Sequence, residues 1–171
     1  MKFLYILCLF IMTNLTWSCK KLSDNGDLSN RIEYWGDEIR LEGYYYCMDS
    51  IENTIEIFIF YSNGVVISPG NYENISSLET SFESGSFYDF VKKSKKNWGV
   101  FFVENQYIKI ERLKAETMFS LPVETLTGEI LNDTTFLITN SNYEGENYEI
   151  NYKYHFKEFS PKPDSTNTFI Q

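Results

Sequence analysis

The chain is poor in the residues that most chemistry needs. Its 171 residues hold one histidine, His155, and three cysteines, Cys8, Cys19 and Cys47. One imidazole and so few thiols do not make up the usual ligand set of a zinc site. No aspartate-rich loop has calcium-ligand spacing, and no Gly-rich phosphate loop, Walker pattern or Gly-x-Ser-x-Gly elbow occurs. Bases are scarce as well: 15 Lys and Arg stand against 24 Asp and Glu, a formal charge of -9. That balance argues against nucleic acid, and against an anionic membrane surface as the main partner. These absences predict no catalytic residues, no metal, no cofactor and no enzyme.

What is present begins at the N-terminus. Lys2 precedes an unbroken apolar run, Phe3 to Met12, which is short for a bilayer span and has the layout of a secretory signal. Ser18 stands directly before Cys19. This arrangement resembles the lipobox of bacterial lipoproteins, with Leu15 four residues and Thr16 three residues before the cysteine. The resemblance implies cleavage after residue 18 and lipidation of Cys19, whose several acyl chains, including palmitate, anchor stably where one binds only marginally. An ordinary signal peptide with a chance cysteine is the alternative. Lys20 follows Cys19, not the Asp that resembles an inner-membrane retention signal, so the outer membrane is expected.

Removal of residues 1–18 leaves 153 residues, with fourteen bases and twenty-four acids. That is enough for one domain with its own core. With Cys19 lipidated, Cys47 is the only thiol and no internal disulfide forms; were Cys19 free, a Cys19–Cys47 bridge is the alternative. The predicted organisation is a signal peptide (1–18), a lipidated cysteine and flexible tether (19–34), a β domain (35–160) and a loose tail (161–171). The polar tether from Lys20 to Asn30 spans roughly 18 Å as a random coil.

Aromatic residues, thirteen Tyr and fourteen Phe among them, make up 18% of the chain and favour strands. Strand patterns recur over 39–49, 54–61, 65–68, 98–103, 107–113, 124–131, 134–139 and 148–156. Asn63-Gly64 between two apolar runs predicts a tight hairpin with both residues at positive φ. Residues 140–147 read as a polar loop. Phe87, Phe90 and Val91 predict one short helix over 86–95, and 114–120 suits either strand or helix. In the last strand Tyr148, Ile150, Tyr152, Tyr154 and Phe156 alternate with polar residues, which demands one wet and one buried face. Eight sequential strands joined mostly by short turns predict an all-β, antiparallel, up-and-down barrel; a β-sandwich is the alternative.

Several segments then resemble the lipocalin-like lipoproteins of Bacteroidota. They are Leu41-Glu42-Gly43-Tyr44-Tyr45, Phe58 to Val66, Trp98-Gly99-Val100-Phe101, Ile108-Lys109-Ile110-Glu111, Gly128-Glu129-Ile130-Leu131 and the closing 162–167. The resemblance implies an eight-stranded lipocalin-like barrel in the cell envelope. The family itself is largely without an assigned activity.

Two functions of different class follow. A binding protein would hold a small apolar or amphipathic ligand against Tyr44, Tyr46, Phe101, Tyr148, Tyr152, Tyr154 and Phe156; core packing is the plainer use of the same rings. An interaction, inhibitor or accessory module would have a solid barrel and an exposed patch, with 71–97 the candidate region. His155 falls on the polar face, and Cys47 has no sequence neighbour that lowers its pKa. A Cys47–His155 dyad requires the first and last strands to pair with both residues on one face. The basic run 92–96 reads as a solvated helix end, with an anionic partner as the alternative.

Overall fold

Alternation along the strands sorts the aromatic residues into two sets, and those sets build two cores. The computed structural model describes residues 26–49, 53–114 and 120–170. The signal segment, Cys19 and the ambiguous stretch 115–119 lie outside them. The strands are β1 (Gly43–Asp49), β2 (Thr54–Phe60), β3 (Val65–Ile67), β4 (Asn71–Tyr72), β5 (Trp98–Glu104), β6 (Tyr107–Leu113), β7 (Val123–Asn132), β8 (Thr135–Tyr143) and β9 (Glu146–Glu158). Every pairing is antiparallel. Strands follow one another around the sheet, and β1 closes against β9 through Tyr45↔Phe156 and Tyr46↔His155. The result is one closed eight-stranded barrel, with β4 as an extra short strand on β2. It is not a sandwich, and the first half of β9 is the only long stretch of the barrel strands, among the described residues, that closure leaves unpaired on one side.

Inside the barrel lie Tyr45, Phe58, Phe60, Phe101, Phe136 and Tyr154, all nearly inaccessible. The opposite face of β2 carries Ile55, Ile57 and Ile59, also buried. A strand apolar on both faces needs a cover outside as well as a core inside. Two helices between β4 and β5 provide it, α1 (Ile75–Glu83) and α2 (Ser86–Val91), through Leu78, Phe87 and Val91. Trp98 completes this outer core and donates its indole N–H to the Val91 carbonyl at 2.9 Å.

The expected single helix over 86–95 is thus corrected to two, the second ending at Val91. Asn74 caps α1: its side chain accepts from the Ser77 N–H at 2.9 Å, and Ser77 Oγ accepts from the Asn74 N–H. Serines between Ile75, Leu78 and Phe82 dilute the helical period in the sequence. The Asn63-Gly64 turn also differs in detail. Only Gly64 has positive φ, and Tyr61 N–H bonds the Val65 carbonyl, so the connection is a three-residue loop. Two-residue turns with both φ positive occur instead at Asn105-Gln106 and Glu144-Gly145. Finally, the polar loop expected over 140–147 is strand on both sides of Glu144-Gly145. Its residues flank open solvent at the barrel mouth, so no apolar alternation is required of them.

The barrel has two unlike ends. At one, the closed end, the turns after β2, β5 and β7 gather. Tyr34 and Ile39 plug the interior there, and the Tyr45 hydroxyl donates to the Asp133 carbonyl at 2.6 Å while accepting the Arg40 N–H at 2.9 Å. At the other, the open end, lie the turns after β1, β6 and β8.

Both flanking segments expected to be loose carry specific contacts. Ser29 donates its N–H and hydroxyl to Glu111 at 2.8 and 2.9 Å, and Tyr34 N–H bonds the Ser62 carbonyl at 2.8 Å. Burial favours the neutral form of Glu111, but the bonds from Lys109 and Ser29 outweigh it and hold the carboxyl below its ordinary range. In the tail, Phe169 and Ile170 pack on the outer core, and Asn63 Nδ2 donates to Ser165 Oγ at 3.1 Å. The basic run helps hold the tail: Lys92 donates to Thr166 Oγ1 at 3.1 Å and lies 3.9 Å from the centre of the Tyr88 ring.

Lys162 is the tail's deepest pin. Its ammonium donates to the carbonyls of Leu41 and Phe60 and sits over the Tyr61 ring, 4.4 Å from its centre. Burial pushes the amine down from 10.5 to about 8, with the Glu42 charge working the other way. The unfolded chain therefore holds the extra proton between these two values, and this group's contribution to stability grows as pH rises through that window. The buried Cys47 thiol works against it from about pH 9, and buried tyrosines such as Tyr61 above pH 10, where the unfolded groups ionise first. The melting temperature is expected to rise between roughly pH 7.5 and 9, and Lys162→Met is expected to flatten that rise. An unchanged rise in the variant would assign it to another group.

Candidate ligand-binding cavity

The cavity forms because two strands part. β1 and β9 stay in register from Gly43↔Glu158 to Tyr46↔His155, and the ladder goes no further. β9 continues along β8 as far as Glu146. The inward residues of its first half, Tyr148, Ile150 and Tyr152, therefore face a gap instead of a packed wall. A cavity of about 550 Å³ occupies this open half, with Cys47, Leu126, Ile138, Ile150 and Tyr152 among its walls. The closed half is filled: Phe136 stacks on Tyr154 at 4.9 Å and Phe60 meets Phe101 edge-on at 4.8 Å.

One wall of the cavity is charged, where β2, β6 and β7 approach the open end. Arg112 follows Ile108 and Ile110 on the inward face of β6. Its Nε donates to Glu124 Oε2 at 2.7 Å, and its Nη1 donates to Glu56 Oε1 and to Ser68 Oγ at 3.1 Å. Ser141 and Lys114 donate to the other Glu124 oxygen at 2.9 and 3.0 Å, and the Tyr154 hydroxyl donates to the other Glu56 oxygen. Each carboxylate is thus satisfied on both oxygens, as burial requires. The guanidinium caps the aromatic core 5.7 Å from the Phe58 ring centre. Burial alone would neutralise Glu124; the Arg112 charge and hydrogen bond, with those of Lys114, reverse this and hold its carboxyl below the ordinary range. Burial likewise opposes the Arg112 charge, and Glu56 and Glu124 keep it protonated.

The seven tyrosine and phenylalanine positions singled out in the sequence do not form one lining. Tyr152 and Tyr148 stand at the mouth, 44% and 52% exposed, and Tyr154 meets the cavity at its floor. Phe101 and Phe156 pack with the inner core outside the cavity walls. Tyr44 and Tyr46 point outward and belong to the outer core, where Tyr44 donates to Glu79 of α1 at 2.9 Å. Period-two alternation is the reason, since Tyr45 and Cys47 occupy the inward phase of β1.

The same alternation separates Cys47 from His155. His155 is exposed on the outer face beside Tyr46, ring centres 6.2 Å apart, whereas Cys47 faces inward. No dyad is assembled. Burial and the nearby Glu56 charge push the Cys47 thiol up to about 11, away from nucleophilic use. Among the described residues no group of three His, Cys, Asp or Glu side chains is placed to hold a metal ion.

Sequence reading missed Arg112, Glu56 and Glu124, the polar centre of the cavity. A signal was present. Each charge sits on the apolar phase of its strand: Arg112 with Ile108 and Ile110, Glu56 with Phe58 and Phe60, Glu124 with Leu126. A charge on an inward phase marks either a partner across the barrel or a ligand.

The fold and cavity define a small closed β-barrel with one plugged and one open end. No family model, curated protein or solved structure matches the chain.

Proposed function

We propose that this chain is a membrane-anchored, lipocalin-like binding protein that carries a small amphipathic molecule. One observation carries the reading: a half-filled barrel whose open half holds about 550 Å³ beside a hydrogen-bonded charged wall. That volume is in the usual range for small-molecule sites. Leu126, Ile138 and Ile150 would meet the apolar part of the ligand. Its polar part would meet Tyr152, Lys114 and the Arg112–Glu56–Glu124 network. The signal layout supports export and lipidation at Cys19, with the outer membrane as the site. Cys47 and His155 lie on opposite faces of the barrel wall, so the dyad the sequence offered is not assembled.

Native mass spectrometry of residues 20–171 tests the proposal. Extra mass that leaves on denaturation is the expected result. A bare mass that a fatty-acid and isoprenoid panel does not shift would overturn it and favour an interaction module. Tyr152→Ala adds a second readout. Tyr152 is exposed, so stability should move by no more than about 0.5 kcal/mol, while affinity for the retained molecule should fall.

A further inference from the structure

The path of the N-terminal segment over the barrel determines which end the membrane anchor approaches. Gly26 N–H bonds the Leu121 carbonyl at 3.0 Å, beside the β6–β7 connection at the open end. From there the chain runs down the outside of the barrel. Ser29 is fixed to Glu111 on β6, Ile32 lies against Gly64 in the closed-end turn, and Tyr34 enters the closed end. A Cβ on Gly64 would lie 2.2 Å from the Ile32 carbonyl oxygen, so the turn is fitted to this strap. The eight residue steps from Gly26 to Tyr34 cover about 26 Å when extended, roughly the height of the barrel. The chain therefore arrives at the open end.

Cys19 lies seven residue steps before Gly26. Seven steps reach at most about 25 Å fully extended, and about 15 Å as a random coil. A lipid on Cys19 thus stays near the open end; reaching the closed end would demand a taut return along the whole barrel. The cavity opens at that same end, between β1 and β9, where Met48, Tyr148 and Tyr152 are exposed. Glu73, Glu144 and Glu146 are exposed there beside Lys96 and Lys114, and this mixed-sign rim suits a zwitterionic surface.

We infer that the open end of the barrel faces the zwitterionic lipid surface to which Cys19 is anchored, so that the cavity takes its ligand from the bilayer. The inference rests on the anchored-carrier reading and deepens it: the cargo class becomes a membrane-resident amphiphile that need not cross water. Trp35 and Leu131 give the closed end an apolar rim of its own, 84% and 47% exposed. The opposite orientation is therefore a real competitor, and the anchor's attachment point decides against it.

The test uses the full chain, processed in a bacterial host and reconstituted in phosphatidylcholine–phosphatidylethanolamine vesicles with nitroxide-labelled headgroups. A fluorophore is placed at the open end through Glu146→Cys, with Asn147→Cys as a second site should the first disturb folding. A third variant, Asp133→Cys, labels the closed end. Most of the fluorescence should be lost at 146 and 147 and none at 133. Equal loss at both ends, or loss only at 133, would overturn the orientation. Protein that lacks the acyl mass and does not float with vesicles would overturn the anchor, and the orientation with it. Quenching at 146 together with a bare native mass would keep the orientation and remove the carrier reading.

Discussion

Arg112→Met should lower the unfolding free energy by about 3–5 kcal/mol, because it leaves half-buried Glu56 without a cation and buried Glu124 with Lys114 alone. In a chain of this size that corresponds to roughly 6–20 °C in melting temperature. The cause is electrostatic and has a signature. With Arg112 present, Glu124 ionises below the ordinary carboxylate range, so its contribution is in place above that range and fades as pH falls through the depressed value. Without Arg112, only Lys114 and Ser141 offset the burial of Glu124, and the variant is penalised most when that carboxylate is charged. The gap between wild type and variant should be widest near neutral pH and shrink below about pH 5. Adding Glu56→Gln and Glu124→Gln to the variant should recover part of the loss. Denaturant melts at neutral and acid pH check this; a gap independent of pH would mean that Arg112 acts through packing over Phe58 alone.

Phe136→Ala is expected to cost a similar amount, about 3–5 kcal/mol, by a different route. Phe136 is fully buried and meets Tyr45 at 5.0 Å, Phe60 at 5.9 Å and Phe58 at 6.4 Å besides its stack on Tyr154. Removing the ring opens a void among aromatic neighbours that cannot collapse into it, since each is fixed in a strand of a closed barrel. The loss should be nearly independent of pH across the neutral range, in contrast to Arg112→Met. Leu131→Ala, on the same barrel but 47% exposed, is the control and should stay within about 0.5 kcal/mol. If Phe136→Ala matched the control, the filled closed half would not be the source of stability. The binding reading would then need a much larger cavity than the open half.

Much of the barrel was legible because half-buried strands leave a period of two. Tyr148 to Phe156 announced β9 as a strand with one wet face, and it is the longest in the barrel. The short turns announced antiparallel neighbours, and closure followed from the number of strands. The covering helix α1 was not legible, since the need for it comes from β2 being apolar on both faces, which a single strand pattern reads as one buried segment. The turn at 144–145 was hidden for the opposite reason: strands that border solvent carry no apolar alternation.

Residue identities by themselves settled the mostly-β character, the acidic balance of charge and the inward phase of Tyr152, Tyr154 and Phe156. They also supplied the signal layout and Cys19, from which anchoring is proposed. Only the tertiary structure decided which tyrosines share a space. Tyr44 and Tyr46 went outside, because closing the sheet fixes which phase of each strand faces in. Only the structure brought Arg112, Glu56 and Glu124 together from β6, β2 and β7. Their meeting depends on strand register around a closed ring, a long-range property that no local pattern encodes. The same holds for the strap from Gly26 to Tyr34. Its composition is that of a free linker, and its place along the barrel is set by partners 28 to 95 residues away.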